Sequence, residues 1–188
     1  MDVHRAIEER RAYRSLEAVD VTAELITELA QAARLAPSCM NNQPWHYVFV
    51  HGPEQLEKVK DTLSRGNRWA TAASMIIAVL SQPELDCRSR GRDFFMFDTG
   101  MATAQLMLRA TELGLVAHPI LGFSETEVMD VLGIPEEMRV VTLLIVGRKS
   151  SAISPLLSEG QVEREPARPE RKPLNEFAYV DRFGQAAN

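Results

Sequence analysis

Apolar residues along this chain follow two kinds of pattern, and each predicts a different kind of element. Spacings of three and four residues, with helix-start and helix-stop signals, predict helices over about 2–11, 22–35, from Pro53 onward, 93–113 and 124–132. Continuous or alternating apolar runs predict strands near 46–51, 74–80, 117–121 and 139–146. The two kinds of element alternate irregularly, and the predicted strands total about four.

Two of these segments are apolar enough to be placed inside the fold. The run over 74–80 is apolar at nearly every position, which predicts a central strand buried on both faces of a sheet. Between 93 and 113, Phe97 and Met101 mark one apolar face, and Met96 makes a second face apolar as well. We therefore expect this helix to be buried nearly all round.

Length, charge and cysteine content exclude several classes of protein. The 188 residues suit one domain, and the net charge of -5, with arginines dispersed among acids, argues against a nucleic-acid partner. Cys39 and Cys87 are too few and too isolated for a disulfide framework, and the N-terminus lacks the pattern of a signal peptide, which indicates a reducing cytoplasm. No segment is apolar over a length that spans a bilayer, so no membrane partner is expected.

Three arginines follow the first predicted helix closely. Arg10, Arg11 and Arg14 place three guanidinium groups within five residues, a spacing suited to holding a phosphate and a polar ring edge. Taken alone, the same residues suit a solvated helix end that favours the helix dipole. The presence of a second motif, over 36–45, favours the anion site.

The segment over 36–45 reads Ala-Pro-Ser-Cys-Met-Asn-Asn-Gln-Pro-Trp and is the most informative part of the chain. Pro37 ends the preceding helix at or before Ala36, which leaves backbone amides free at that exit. Ser38, Asn41 and Gln43 then offer donors and acceptors that could match the edge of a planar heterocycle. This composition indicates a binding site rather than a simple connection.

In order and spacing, the Arg-Arg-x-x-Arg motif, the 36–45 segment and Pro-Ile-Leu-Gly-Phe at 119–123 resemble the FMN-dependent nitroreductase family. The resemblance continues to 171–176 and covers nearly the whole chain. It implies an α+β fold in which helices flank a mainly antiparallel sheet of four to five strands. It also implies transfer of hydride from NADH or NADPH, through FMN, to a nitroaromatic, quinone or other conjugated acceptor by a ping-pong mechanism.

The resemblance assigns roles to particular residues. It implies that the following residues bind FMN: Arg10, Arg11, Ala12, Arg14, Pro37, Ser38, Cys39, Asn41, Gln43, Asn67, Pro119, Ile120, Leu121, Gly122 and Arg148. The arginines near the N-terminus would hold the phosphate, and Arg14 would also hold the N1/O2 side of the ring. The amide of Gly122 would donate to flavin N5, which makes Gly122 and Arg14 the catalytic residues.

Several of these residues have structural alternatives. Asn67 follows a glycine and suits a turn, and Arg148 suits an exposed charge after a strand. Asn41 and Gln43 could hold their loop in shape instead of touching flavin. Cys39 suits a small packing residue better than a redox thiol.

The sequence after Gly147 changes character, which divides the chain into a core over 1–150 and a C-terminal segment over 151–188. Phe177, Tyr179 and Phe183 would be costly to expose together, so this segment is predicted to be an arm on a partner subunit rather than a frayed tail. The resemblance implies the same arrangement, a homodimer in which Pro37, Ser38 and Cys39 come from the other subunit and FMN lies at the interface.

Other chemistry remains open at this stage. Relatives with this fold also dehalogenate or dehydrogenate, and many carry Glu where this chain has Leu121, so a flavin-binding protein with little turnover is a further alternative. Arg88, Arg90 and Arg92 suit either a solvated loop or contacts to a substrate carboxylate or to the extra phosphate of NADPH. The four histidines lack metal-ligand spacing, and no metal site is expected.

Overall fold

The chain forms strands and helices over residues 1–186, the part that this computed structural model describes. The strands are β1 (Leu16–Glu17), β2 (His46–Val50), β3 (Met75–Ser81), β4 (Arg88–Ser89), β5 (Arg92–Asp93), β6 (Leu115–Ile120) and β7 (Arg139–Lys149). The helices are α1 (Val3–Glu9), α2 (Ala23–Arg34), α3 (Pro53–Asp61), α4 (Phe95–Glu112), α5 (Glu125–Leu132) and α6 (Glu159–Arg164). Short 3-10 turns cover Cys39–Asn41, Arg65–Ala72, Pro83–Leu85 and Leu174–Glu176.

Strand β7 organises a five-stranded antiparallel sheet. It pairs with β6 along one edge and with β3 along the other, β2 pairs with the far edge of β3, and β1 pairs with the end of β7. Alternate residues of β3 point to opposite faces, so Met75 and Ile77 pack in the same cluster as Leu29 of α2, and Ile76 packs with Val59 of α3. Helices therefore cover both faces of the sheet, and the α+β prediction is confirmed.

The local signals in the sequence set the helix ends. The side chain of Thr22 caps α2 by accepting a hydrogen bond from the Leu25 amide, and Ser124 caps α5 by accepting one from the Glu127 amide. Gly133 ends α5 in the left-handed conformation at φ 64°, which glycine adopts without steric cost. As predicted, β3 is buried at every position.

Three predictions about the fold need correction. Strand β1 and the hairpin of β4 and β5 were not expected, because two-residue strands are too short to show a hydrophobic period. Helix α4 is buried on one side only, since Met96 and Phe97 are 50% and 63% exposed in the single chain. Its inner side packs against α2 and β6.

The third correction concerns the cysteines. Cys39 and Cys87 are 48 residues apart in sequence, yet their Cα atoms lie 6.0 Å apart and their sulfurs form a disulfide. The prediction that they are too isolated to pair is wrong, because the loop after α2 folds back onto the segment after β3. That proximity is a tertiary contact, which the spacing of two cysteines does not reveal.

The C-terminal segment begins on its own subunit. The amides of Ser150 and Ser154 donate to the carbonyl and the hydroxyl of Ser15, respectively. Beyond residue 168, Phe177 and Phe183 remain 59% and 94% exposed. Placement of this later part on a partner subunit stays a prediction. Among the described residues, no helix has the length and apolar character to cross a membrane.

Candidate cofactor-binding site

The arginines after α1 line a concave, strongly basic surface. Arg10, Arg11, Ala12 and Arg14 form one side of it, because α1 ends at Glu9 and the chain turns there. The C-terminal segment forms the other side with the residues Arg164, Arg168, Pro169 and Arg171. We call these eight residues the arginine cleft, and none of them is acidic. Six guanidinium groups around one cleft favour an anion with several oxygen atoms.

Arg10 shows the electrostatic character of the arginine cleft. Partial burial lowers the pKa of its guanidinium, and the nearby charges of Arg168 and Arg171 lower this pKa further. A bound anion would offset both effects, because it would compensate the buried charge and screen the repulsion.

Arg11 makes contacts that differ from those of its neighbours. Its guanidinium donates to the carbonyls of Glu165, Pro166 and Ala167, with N to O distances of 3.0, 3.2 and 2.8 Å. It also lies 4.4 Å from the centre of the Tyr13 ring. Arg11 therefore fastens the C-terminal segment to the start of the chain.

Arg168 makes the reciprocal contact, from the C-terminal segment to the start of the chain. It was not identified as a site residue from the sequence. Its guanidinium donates to the carbonyls of Glu8 and Arg10. The only signal for it was the spacing of Arg164, Arg168 and Arg171, three or four residues apart in a proline-rich segment. Such spacing does not show which surface a segment contacts.

Glu165 fixes the backbone that carries Arg14. This buried carboxylate accepts hydrogen bonds from the amides of Arg14 and Ser15, at 2.8 and 2.7 Å. The Arg14 guanidinium lies 5.9 Å from the centre of the Trp69 ring. The position of Arg14 is thus set by contacts with the far end of the chain.

His118 packs beneath these arginines as a neutral residue. Its Nδ1 lies 3.0 Å from the carbonyl oxygen of Tyr13, and its ring centre lies 4.6 Å from that of Trp69. Burial lowers the pKa of His118 to about 4, with smaller contributions from the charges of Arg14 and Arg10. His118 is therefore uncharged at neutral pH and supports the segment around Arg14 by packing.

Gly122 and Asn67 form a second part of the site, at the end of β6. The carbonyl of Gly122 accepts hydrogen bonds from the Ser64 amide at 3.0 Å and from Asn67 Nδ2 at 2.9 Å. A Cβ atom at position 122 would lie 2.4 Å from Ser64 Oγ and 2.6 Å from Asn67 Nδ2. A side chain at position 122 would therefore displace the Ser64 hydroxyl and the Asn67 amide that holds this carbonyl.

The amide of Gly122 has no hydrogen-bond acceptor within residues 1–186. Because both bonds to the carbonyl fix the peptide plane that follows Gly122, the segment is held firmly while this donor remains free. Next to it, Leu121 is 83% exposed. The last two residues of β6 differ, because Pro119 is exposed and Ile120 is buried. The segment therefore presents a backbone donor and an apolar side chain together.

The loop over 37–43 is held by contacts among its own residues and by contacts to other segments. Ser38 Oγ accepts a hydrogen bond from the Gln43 amide at 3.0 Å, and Gln43 Nε2 donates to the Asn41 carbonyl at 3.1 Å. The amide of Cys39 donates to the buried carboxylate of Asp98 at 2.6 Å. Pro37 is exposed at the start of the loop. These contacts match the alternative in which Asn41 and Gln43 hold the loop in shape.

The described residues of one chain do not bring all the predicted site residues together. No hydrogen bond joins the 37–43 loop to the arginine cleft within residues 1–186, and Arg148 does not line that cleft. Arg148 is exposed on β7, opposite Glu17 and Leu115. Arg88 is engaged elsewhere, because its guanidinium pairs with Asp93 at 2.7 Å.

A cluster at the base of the 37–43 loop has the elements of a metal site. The sulfurs of Cys39 and Cys87 and a carboxylate oxygen of Asp86 lie within 4.8 Å of one another. Metal binding requires thiolates, however, and the two sulfurs here are bonded to each other. In this state the cluster offers no thiolate ligand.

The chain matches known proteins over most of its length. The model of the nitroreductase family matches residues 7–68 and 60–148. A relative from Archaeoglobus fulgidus, provisionally named NADH dehydrogenase/NAD(P)H nitroreductase, is 30% identical over 142 residues, which cover 73% of this chain and 80% of the relative. The Bacillus subtilis protein YdgI, provisionally named NAD(P)H nitroreductase, is 27% identical over 176 residues, covering 74% and 84% of the two chains.

Solved structures share the fold. An oxidoreductase described as containing FMN superimposes with a TM-score of 0.84 at 27% identity, covering 98% of this chain and 94% of the other. A provisionally named nitroreductase from Exiguobacterium sibiricum, solved in complex with FMN, superimposes with a TM-score of 0.80 at 21% identity, covering 96% and 97%.

Proposed function

This chain belongs to the nitroreductase family, and from that premise we propose that it is an FMN-dependent oxidoreductase that takes hydride from NADH or NADPH. Bound FMN supplies the two-electron chemistry, so the protein needs to hold the ring, tune it and leave one face open. The observation that carries the proposal is the arginine cleft, whose six guanidinium groups have no acidic neighbour along its lining.

Arg10 is the residue best placed to hold the FMN phosphate. It is partly buried beside Arg168 and Arg171, and the energy lost by placing these charges together is recovered when a phosphate dianion binds. Arg11 supports this arrangement by holding the C-terminal segment in place. Its part in binding is then to position other arginines.

Gly122 and Arg14 act on the flavin ring in this proposal. The amide of Gly122 would donate a hydrogen bond to the hydride-exchanging side of the ring. Arg14 would hold positive charge beside the ring, where it would stabilise negative charge on the reduced flavin. Asn67 would act indirectly, because its hydrogen bond to the Gly122 carbonyl helps to hold the backbone of this residue in place.

The apolar surface beside Gly122 suits a conjugated acceptor. Leu121 and Phe123 line a pocket together with Phe95, Met96 and Val141, and the paired charges of Glu125 and Arg139 lie at its border. A nitroaromatic or quinone ring would bury apolar area against these side chains. Because donor and acceptor use the same open face of the flavin, they would bind in turn, by a ping-pong mechanism.

The active assembly is a homodimer in this proposal. The 37–43 loop lies apart from the arginine cleft of its own chain, so the loop of one subunit would complete the site of the other. The exposed Phe177, Val180 and Phe183 supply apolar area for such an interface. Arg168 donates to the carbonyls of Glu8 and Arg10, so within the segment over 151–188 the part that packs on a partner would begin after residue 168. We place the protein in the cytoplasm, where NADH and NADPH are available.

The first experiment is a visible spectrum of the protein purified without added cofactor, recorded before and after anaerobic NADH or NADPH. The expected result is a flavin spectrum that bleaches on reduction, with FMN identified after release. Steady-state oxidation of NADH or NADPH with menadione or nitrofurazone then tests the acceptor. Turnover no faster than that of free FMN would identify a flavin-binding protein, and failure to bind added FMN would overturn the proposal.

A truncation tests the assembly separately. The chain ending at residue 169 keeps the hydrogen bonds that Arg11 and Arg168 make between the C-terminal segment and the start of the chain. It loses the exposed aromatic residues. We expect it to be monomeric by light scattering and to lose FMN. A truncated chain that stays dimeric and keeps native FMN affinity would show that the arm does not build the interface.

A further inference from the structure

The single disulfide of the chain lies in the same loop as several of the predicted flavin contacts. Cys39 begins the 3-10 turn in the 37–43 loop, and Cys87 immediately precedes the hairpin of β4 and β5. These are the only two cysteines in the sequence. The bond therefore joins the proposed FMN loop to a separate segment after β3.

The backbone of this loop adopts conformations that need support. Met40, Asn41 and Gln43 have positive φ values of 51°, 60° and 51°. Each such residue other than glycine costs on the order of 1 kcal/mol, so a loop with three of them persists only when its surroundings hold it. The disulfide is the covalent part of that support. Two further contacts reach outside the loop. The Cys39 amide donates to Asp98, and the Asn42 side-chain amide donates to Asp86 Oδ1 and lies 3.6 Å from Cys87 Sγ.

Two carboxyl groups adjoin the disulfide. Asp98 is only 2% exposed, and burial raises the pKa of its carboxyl group, as does the neighbouring Asp86. Asp86 Oδ2 is buried without a hydrogen-bond partner among the described residues, although its Oδ1 accepts from the Cys87 amide. A carboxylate oxygen of Asp86 lies within 4.8 Å of both sulfurs.

The sulfurs are accessible enough for exchange chemistry. Cys39 and Cys87 are both half-buried, and Met40 beside them is 86% exposed. Disulfides in cytoplasmic proteins are usually transient and act in catalysis or redox sensing. A disulfide that supports a strained ligand loop suits the second of these functions.

We propose that the Cys39–Cys87 disulfide is a thiol–disulfide exchange site, reduced by a dithiol or by glutathione-class thiols, whose reduction releases the 37–43 loop and weakens FMN binding. The inference rests on the proposed function for its effect on FMN. In the balanced step, two thiols provide two electrons and two protons. The bond between the two sulfurs breaks, both cysteines become thiols, and the reductant leaves as a disulfide.

The test equilibrates the protein in a series of glutathione redox buffers, followed by differential alkylation and mass spectrometry. Cys39 and Cys87 are expected to titrate together as one two-electron couple while the far-ultraviolet circular dichroism stays native. In the reduced protein we expect FMN affinity to fall by about tenfold, corresponding to about 1.4 kcal/mol, and to recover on reoxidation. The amides of residues 39–43 should also exchange hydrogen faster.

A double variant, Cys39→Ser with Cys87→Ser, provides the matched control. It should bind FMN as weakly as the reduced protein and should not respond to dithiothreitol. The switch would be overturned if full reduction left both the FMN affinity and the hydrogen exchange of residues 39–43 unchanged. It would also be overturned if Cys39 and Cys87 formed no disulfide in oxidising buffers. If neither redox state binds FMN, the proposed function fails, whereas the thiol titration and the loop exchange still report on the switch.

Discussion

The side-chain amide of Asn67 donates a hydrogen bond of 2.9 Å to the carbonyl of Gly122, 55 residues further along the chain. Together with the bond from the Ser64 amide, this contact fixes the backbone from which the free Gly122 amide projects. A turn residue and a glycine that the sequence presents separately thus form one unit. In the proposed function, this rigidity would let the backbone donor act on the flavin ring.

Replacing Gly122 by alanine should disrupt this unit. The new methyl group would meet Ser64 Oγ at 2.4 Å, and overpacking of this kind costs about 1–3 kcal/mol. We expect a lower melting temperature and weaker FMN binding, measured by thermal unfolding and flavin fluorescence. Gly66→Ala is the control, because a methyl group there meets nothing within 4 Å. Equal behaviour of the two variants would contradict the argument.

Replacing Asn67 tests the hydrogen bond itself. Asn67→Ala removes one of two donors to the Gly122 carbonyl and should cost about 1 kcal/mol of stability. Asn67→Asp should cost more, because it places a carboxylate oxygen against that carbonyl. The rate of flavin reduction by NADH should fall in the same order, and stopped-flow absorbance measures it. A rate that is unchanged in both variants would remove Asn67 from the positioning of Gly122.

Loss of the Glu165 carboxylate should destabilise the N-terminal part of the site. Glu165→Ala leaves the amides of Arg14 and Ser15 without an acceptor, at a cost of about 1–3 kcal/mol for each buried donor. Glu165→Gln keeps an acceptor oxygen and should lose less. Urea unfolding gives both values, with the exposed neighbour Glu163→Ala as control. If Glu165→Ala unfolds like that control, the C-terminal segment does not hold Arg14.

Stability should fall as the solution is acidified, because His118 stays neutral in the folded protein. Burial lowers its pKa from the ordinary value of 6.5 to about 4. Between these two pH values the unfolded chain binds a proton that the folded chain does not, so the free energy of unfolding falls as pH decreases from about 6.5 to about 4. The full loss is roughly 3 kcal/mol.

A variant separates this effect from those of other acid-sensitive groups. His118→Gln cannot titrate and should show a smaller loss of stability over the same pH range, measured by urea unfolding at each pH. The exposed His46→Gln should behave like the parent protein. Parallel curves for the parent and His118→Gln would show that His118 is not held neutral. The charged groups that act on it are Arg14, Glu165 and Arg10.

Arg10 and Arg11 should respond differently to substitution, although they are adjacent. Arg11→Ala releases the carbonyls of residues 165–167, so hydrogen exchange should rise in the C-terminal segment and stability should fall. Arg10→Ala relieves repulsion with Arg168 and Arg171, so the apoprotein should be at least as stable as the parent. FMN affinity of this variant should fall by about 10- to 100-fold, the contribution of a charge-assisted hydrogen bond.

Calorimetry on the apoprotein and titration with FMN distinguish the two arginines. The exposed Arg5→Ala is a control, because within residues 1–186 the Arg5 guanidinium pairs only with Glu9 on α1. Equal losses of FMN affinity in the variants of Arg5 and Arg10 would show that the arginine cleft does not hold the phosphate.

The sequence by itself determined the longer elements and several of the helix ends. Thr22, Ser124 and Gly133 act on amides and carbonyls within four residues of themselves, so their effect is visible in a short window. The apolar run of β3 is also a local signal. It predicted a central strand, because a strand that is buried on both faces consists of apolar residues at nearly every position. The arginine cluster and the 36–45 loop were likewise found as local motifs.

Only the tertiary structure decided which of these parts meet. The disulfide joins residues 48 apart, and the contacts of Arg11 with the carbonyls of residues 165–167 span more than 150 positions. Such contacts depend on how the sheet and its flanking helices bring distant segments together, and no periodicity of one segment encodes that. The outer face of α4, with Met96 and Phe97, is a second example. Its apolar residues predicted burial, but the pattern does not specify which element would cover them.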